Sequence, residues 1–427
     1  MKIYSHTDSS DETTKTKHIV LFYEHISREV DAAMRIADTL LHHSVGNTEV
    51  ILAQINLEWP DVLQYARRNG IDAVMVPSCY ATIPDCLWTM PLKRLNKDLV
   101  IVNFHHEQIP APFNEHVQLP HDAGAKNGCM HIAWSNVFQE NLIKIGVNEE
   151  LICVTGNPRA DLLLDGISDP TREQLAEEYQ LDDSKQWIIF CENRYASAAE
   201  AINNREKNTL YREIDKDVFS RKERLDEESK RLLFEQINKL SKDFFDKYEF
   251  IYRPHPGVEA KYDFADEVHV IQDGSIGTWL KAVDLALVWN STTAFEADAL
   301  GVPVARHEPI PNDEQFQSRG LGSYPCIQDL DTIDDNLIAK IRKENEQAKN
   351  YKLNYGSVDG KSFDRIANAL LEAIDNPPPL HNPTMPLKEY VIFSLRNRLA
   401  NCFWKWGWLE RLKWPKAGYI HRAEIID

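Results

Sequence analysis

No run of about 18 or more apolar residues occurs in this chain, so hydropathy supplies no membrane-spanning helix. Positive charge is also scarce. Lys and Arg number 48 against 66 Asp and Glu, a formal net charge of −18, and a chain so acidic has no general face for a nucleic-acid backbone. The seven cysteines (Cys79, Cys86, Cys129, Cys153, Cys191, Cys326, Cys402) form no C-x-x-C pair, which argues for a reducing compartment and against a zinc site. Residues 1–17 lack the basic start and apolar centre of a secretory signal, so a cytoplasmic location is expected. No internal repeat or low-complexity run stands out.

What the chain does contain is material for two cores. It has 427 residues, 43% hydrophobic and 27% charged, more than one core usually organises. From residue 18 onward short apolar runs alternate with segments of helical periodicity. Strands are predicted at His18–Tyr23, Glu49–Ala53, Ala73–Val76, Leu99–Phe104, His131–Trp134 and from Ile152. Ser27 and Ser135 are placed as helix N-caps. A second series runs through Gln186–Cys191, Phe250–Arg253, Val268–Ile271 and Asp284–Val288, with another strand near Val304. Regular alternation of this kind predicts an α/β chain with parallel sheets covered by helices. The expected boundaries are a disordered or polar tail over 1–17, a first Rossmann-like domain over 18–165, a linker over 166–185 and a second Rossmann-like domain over 186–375. An aromatic and basic tail over 376–427 completes the chain.

Parallel sheets gather ligand chemistry at the carboxyl ends of their strands. Four such ends are polar, two of them within one stretch. The strand ending at Phe104 runs into His105-His106-Glu107, and the strand ending at Cys191 runs into Glu192-Asn193-Arg194. The stretch from Tyr252 to Val304 opens on Arg253-Pro254-His255-Pro256 and passes through Asn290-Ser291-Thr292-Thr293 to a short helix closed by Gly301. Hydroxyls at a helix start lie where unpaired N–H groups favour a phosphate. Each cluster also has an ordinary structural reading: a solvated loop at 105–107, a salt bridge between Glu192 and Arg194, a rigid turn at Pro254, and dipole stabilisation of Glu296. The segment from Arg306 to Tyr324 is expected to be a mobile loop.

Three stretches carry a resemblance: Val154-Thr155-Gly156-Asn157-Pro158-Arg159-Ala160-Asp161-Leu162, Arg253-Pro254-His255-Pro256, and Asn290 through Gly301-Val302-Pro303. Together with Ser27-Arg28-Glu29-Val30-Asp31 and Asp359-Gly360-Lys361 with Arg365-Ile366, they resemble bacterial surface-carbohydrate glycosyltransferases of capsule and lipopolysaccharide synthesis. These have GT-B architecture and are more distantly similar to capsule Kdo transferases and CDP-glycerol glycerophosphotransferases. The resemblance spans about residues 18–375. It implies two domains facing a central cleft, a nucleotide-sugar donor on the second domain and a glycan or lipid-linked acceptor on the first. Carried over, Arg253 and His255 face the donor phosphates, Asn290, Ser291, Thr292 and Thr293 cradle them, and Glu296 reaches the ribose.

Sugar transfer by inversion needs a base. Glu107 is the first choice, with His105 or His106 as substitute, and Glu192 is the rival. No D-x-D pair is read at a strand end of the donor region and no helix carries paired histidine ligands, so neither a metal nor a cofactor is expected beyond the donor itself. Beyond Pro377-Pro378-Pro379, Trp404, Trp406, Trp408 and Trp414 stand among Arg and Lys residues, and residues 388–416 are expected to meet an anionic membrane at its inner face. Two other readings stay open: a nucleotide-sugar 2-epimerase-like enzyme, and a non-catalytic binding subunit of a polysaccharide assembly complex.

Overall fold

The structure, a computed structural model, describes residues 1–6, 15–24, 29–83, 85–165, 170–193, 197–207, 211–255, 262–382 and 386–406. Ser27, Arg194, Pro256, Trp408 and Trp414, all singled out above, lie outside these residues. The chain divides into two compact units. Unit 1 comprises Met1–Gln108, Leu119–Leu162 and Ser357–Asp427, and unit 2 comprises Ile109–Gln118 and Leu163–Gly356.

Unit 1 holds a seven-stranded sheet built from β1 (Lys2–His6), β2 (Lys17–Tyr23), β3 (Thr48–Gln54), β4 (Ala73–Val76), β5 (Val100–Asn103), β6 (Met130–Ala133) and β7 (Ile152–Val154). Their spatial order is β1-β3-β2-β4-β5-β6-β7. All pairs are parallel except β1 with β3, which run antiparallel with Lys2 opposite Leu52. The residues expected as a polar tail thus begin with an edge strand. Its pattern of half-buried and exposed residues is what an edge permits, and it gave the sequence no apolar run to detect. Inner strands such as β4 and β5 are buried at every position, because helices cover both faces of a parallel sheet.

Unit 2 holds a six-stranded, all-parallel sheet in the order β10-β9-β8-β11-β12-β13, where β8 is Gln186–Cys191, β9 Tyr248–Arg253, β10 Val268–Val270, β11 Leu285–Val288, β12 Val304–His307 and β13 Cys326–Ile327. Strand order reverses between β8 and β11. In a doubly wound sheet that reversal opens a crevice at the carboxyl ends of the two strands.

Two boundaries and one loop differ from expectation. The helix Ser362–Asp375 belongs to unit 1: Phe363, Ile366, Ala367 and Leu370 pack with Ile36 and Leu40 in the core over β2 and β3. Its apolar stripe showed that one face is buried, and only the return of the chain chose the sheet. Residues 170–185 are part of unit 2. Thr171 and Gln174 form a capping box on the helix Arg172–Tyr179, and Arg172 reaches Asp284 at 2.9 Å while lying 4.3 Å over the Trp187 ring. The segment from Arg306 to Tyr324 begins within β12 and continues as a pinned loop, with Phe316 and Leu321 buried and Asn290 Nδ2 donating to Phe316 O at 2.7 Å.

Candidate functional site

In unit 2 three strand ends lie side by side, since Cys191 pairs with Val288 on one side and with Arg253 on the other. Each strand then delivers its polar turn. Asn193 Nδ2 donates to Asn290 O at 3.4 Å across the strand-order reversal, and the His255 N–H donates to Glu192 Oε2 at 3.2 Å on the other side. At Asn290 the backbone takes φ of 43°, in the left-handed region that Asn enters more readily than most other residues. The Thr293 N–H then donates to Ser291 Oγ at 3.3 Å and the Ala294 N–H to Ser291 O at 3.2 Å, which starts the helix Thr293–Ala299. Thr292 is exposed at the tip, Ser291, Thr293 and His255 are half-buried, and Glu296 is buried in the first helical turn.

Several residues expected to meet the donor or to react are occupied in holding this edge together. Arg253 is buried, and its guanidinium donates to Asp273 O at 2.8 Å and Gly274 O at 2.5 Å, fixing the loop before the helix Ile276–Ala282. Burial weighs against its charge and lowers its pKa, and an ion that cannot shed its proton takes carbonyl partners instead. Asn290 spends its amide on the loop, donating to Phe316 O and accepting the Ser318 N–H at 3.0 Å. Glu192 is ion-paired with Lys230 at 2.5 Å and accepts the Tyr262 hydroxyl at 2.6 Å. A carboxylate so engaged is a keystone between the turn and the helix Lys216–Ile237. Beneath it, Phe190, Ser229, Lys230, Trp289 and His307 line a cavity of about 10 Å³, far below what a nucleotide needs.

In unit 1 the run after β5 splits residue by residue. His105, at φ of 51°, is fully buried. Its Nε2 lies 2.8 Å from His131 Nδ1, while His131 Nε2 lies 2.9 Å from Lys126 O. A carbonyl only accepts, so His131 donates from Nε2, accepts at Nδ1, and His105 donates to it. Burial pushes His105 well below its usual pKa of 6.5 and takes His131 down to about 4, so both are neutral. His105 is therefore a core residue. His106 is half-buried with Nδ1 3.0 Å from Pro77 O. A carbonyl only accepts, so Nδ1 donates to Pro77 O and Nε2 is the nitrogen outside that bond. Glu107 is exposed.

Two of the stretches that carry the resemblance meet in unit 1 as a clamp. Arg365 Nε donates to Thr155 O at 2.6 Å and its fork holds Asp359 at 2.8 Å, while the Ser362 N–H donates to Asp161 Oδ2 at 2.9 Å. Gly156 sits at φ of +83°, and a Cβ there would lie 2.3 Å from Ser357 O. These residues fasten the returning chain to the end of β7. Sequence reasoning missed Lys230, Tyr262, His131 and the Pro77 carbonyl, which settle the fates of Glu192, His105 and His106; all are remote in sequence and carry no local signal. An Asp-x-Asp pair does follow a strand end, Asp329-Leu330-Asp331 after β13, but Asp329 Oδ1 accepts the Asp331 N–H at 3.1 Å and caps a turn. Among the described residues no group of three or more His, Cys, Asp or Glu is placed to hold a metal ion.

No protein-family model and no curated protein sequence matches the chain. Solved structures do. MnaA of S. aureus with UDP superposes at a TM-score of 0.52 with 14% identity, over 86% of this chain and 99% of its own. UDP-GlcNAc 2-epimerase from Neisseria meningitidis, bound to UDP-GlcNAc, gives 0.50 with 15% identity over 84% and 100%. The wall teichoic acid polymerase TagF soaked with CDPG gives 0.50 with 10% identity over 84% and 89%. At such identities the shared property is the fold: two α/β domains of the GT-B-like class, with a helical C-terminal region.

Proposed function

We propose that unit 2 binds the nucleotide part of an activated sugar and that the protein is a metal-independent glycosyltransferase acting on a cell-surface glycan or lipid-linked acceptor. The observation that carries this reading is the Asn290–Thr293 turn at the strand-order reversal, where the exposed Thr292 and half-buried Ser291, Thr293 and His255 edge the place an open α/β sheet binds its ligand. Hydroxyls and an imidazole there suit a diphosphate leaving group. Glu296, one turn into the helix, is the candidate for the ribose. The names of the similar structures, with UDP, UDP-GlcNAc and CDPG, favour a pyrimidine nucleotide.

In transfer, the acceptor oxygen bonds to the anomeric carbon, the anomeric C–O bond to phosphate breaks, and a base takes the hydroxyl proton. His106 replaces Glu107 as our first choice for that base, because the Pro77 carbonyl fixes its tautomer; Glu107 is second. Thermal unfolding with CMP, CDP, UDP, GDP and TDP tests the donor site. One nucleotide is expected to raise the midpoint, and His255→Ala to abolish the rise; no response to any of them counts against the reading. His106→Ala is expected to lower turnover roughly 10²–10⁴-fold with nucleotide affinity unchanged.

A second reading, a nucleotide-sugar 2-epimerase, is favoured by the similar fold of the Neisseria enzyme. Incubation with UDP-GlcNAc and no acceptor separates the two, since only an epimerase converts the donor alone. Retention of function in cells by His106→Ala and Glu107→Gln together would instead favour a non-catalytic assembly subunit.

A further inference from the structure

The helix Leu387–Lys405 in unit 1 is apolar on two faces. One face is used: Phe393 packs edge-on against Trp59 and Trp88, Ala400 and Trp404 cluster with Leu57, and Asn401 Nδ2 donates to Leu57 O at 2.8 Å. The opposite face carries Val391, Ile392, Leu395 and Leu399 at spacings of three and four, continued by Trp406, and all five are exposed. Leu395 is 58% exposed, Leu387 at the start of the helix 72%, and Trp406 at its end 63%. The stripe runs the length of a 19-residue helix, ~28 Å. Large apolar residues facing water in one continuous line call for a cover.

Charge identifies the cover. On the helical wheel Arg398 and Lys405 border the stripe on one side and Arg396 on the other, with Lys388 at its N-terminal end; Glu389 is the helix's only acid. Lys405 also meets Asp61 at 2.8 Å. This cationic strip sits on a chain whose net charge is −18. An apolar stripe bordered by long basic side chains is the pattern of a helix lying in the plane of a membrane surface, where aliphatic stems follow the apolar residues down and charged ends reach anionic headgroups. No described helix is long and apolar enough to cross a membrane.

We propose that the outer face of Leu387–Lys405, with Trp406, is a docking surface for an anionic lipid bilayer, seating the helix flat at the headgroup boundary. This stands independently of the nucleotide reading. Sedimentation of the full chain with vesicles of phosphatidylcholine, alone or mixed with phosphatidylglycerol, tests it. Binding is expected to the mixed vesicles and to weaken with added salt. Leu395→Glu with Leu399→Glu is expected to reduce binding at least tenfold without lowering the thermal unfolding midpoint, since both side chains are exposed. Arg396→Gln with Arg398→Gln is expected to reduce binding to mixed vesicles about tenfold or more and to flatten the salt dependence. Failure of the full chain to sediment with mixed vesicles overturns the proposal, as does undiminished binding of the leucine double variant. A midpoint lowered by that variant assigns the stripe to an intramolecular cover, and a dimer that the variant dissociates assigns it to a second copy; either result overturns the bilayer.

Discussion

At the carboxyl end of β5 the chain presents His105-His106-Glu107, and at the carboxyl end of β9 it presents Arg253-Pro254-His255; in each, the first polar residue turns into the protein and the last reaches its surface. The two interiors accommodate their polar guest by different chemistry. His105 sheds its charge, held neutral by burial and by the neighbouring His131, to which it donates one hydrogen bond. Arg253 keeps its charge, so two backbone carbonyls meet its fork. A buried imidazole is thereby exposed to acid, whereas a buried guanidinium is indifferent to pH and vulnerable to substitution. Glu192 belongs with Arg253: its carboxyl group is met by partners, Lys230 and Tyr262.

The largest expected effect sharpens the imidazole side of this contrast. His131 and His307 have folded pKa values lowered by burial from 6.5 to about 4. The unfolded chain therefore binds protons that the native chain excludes, and stability falls as pH drops below 6.5, ceasing to fall on this account below about 4. Denaturant unfolding at pH 7 and pH 5 is expected to differ by on the order of 2 kcal/mol for each of the two. An unfolding free energy flat from pH 7 to pH 5 would remove the claim that they are neutral in the core.

Next comes the charged side. Glu192→Gln leaves Lys230 without its counter-charge and is expected to cost on the order of 3 kcal/mol, less whatever solvation the partly exposed Lys230 recovers. Urea titration at pH 7 measures it, and an unchanged midpoint would return Glu192 to the catalytic candidates. Arg253→Met strands two carbonyls at roughly 2 kcal/mol, and Arg253→Lys is expected to restore less than half, because an ammonium has no fork. If Arg253→Met kept its stability and lost only nucleotide affinity, the residue would be a ligand after all. The smallest effect is expected at Thr292→Val. Because Thr292 is exposed and enters the framework through its backbone carbonyl, the substitution should change stability by under about 0.5 kcal/mol while nucleotide affinity falls by several-fold; an affinity equal to that of the unaltered protein would place the phosphate elsewhere.

Much of the scaffold was legible. β8 and β4 span the residues expected, and Ser135 caps its helix by accepting the Phe138 N–H. Apolar runs and caps are local, and a chain writes them where they act. The site was legible only as a set of strand ends. His105 and His106 are neighbours in sequence and opposite in role, and nothing nearby announces that His131 will meet one and Pro77 O the other. The Thr155–Asp161 and Asp359–Arg365 stretches carry the resemblance and form a structural clamp, in which a glycine at φ of +83° and an arginine on a carbonyl serve a crossing chain.

By itself, then, the sequence determined the α/β class, the alternation of strands and helices, and the polar turns after β5, β8, β9 and β11, since periodicity, capping and turn chemistry act over a few residues. Tertiary structure alone decided that the helix Ser362–Asp375 returns to unit 1, that Arg253 and Glu192 are framework, and that the helix Leu387–Lys405 leaves a second apolar face uncovered. Burial and charge pairing depend on which distant residue arrives opposite, and that partner is set by the path of the whole chain.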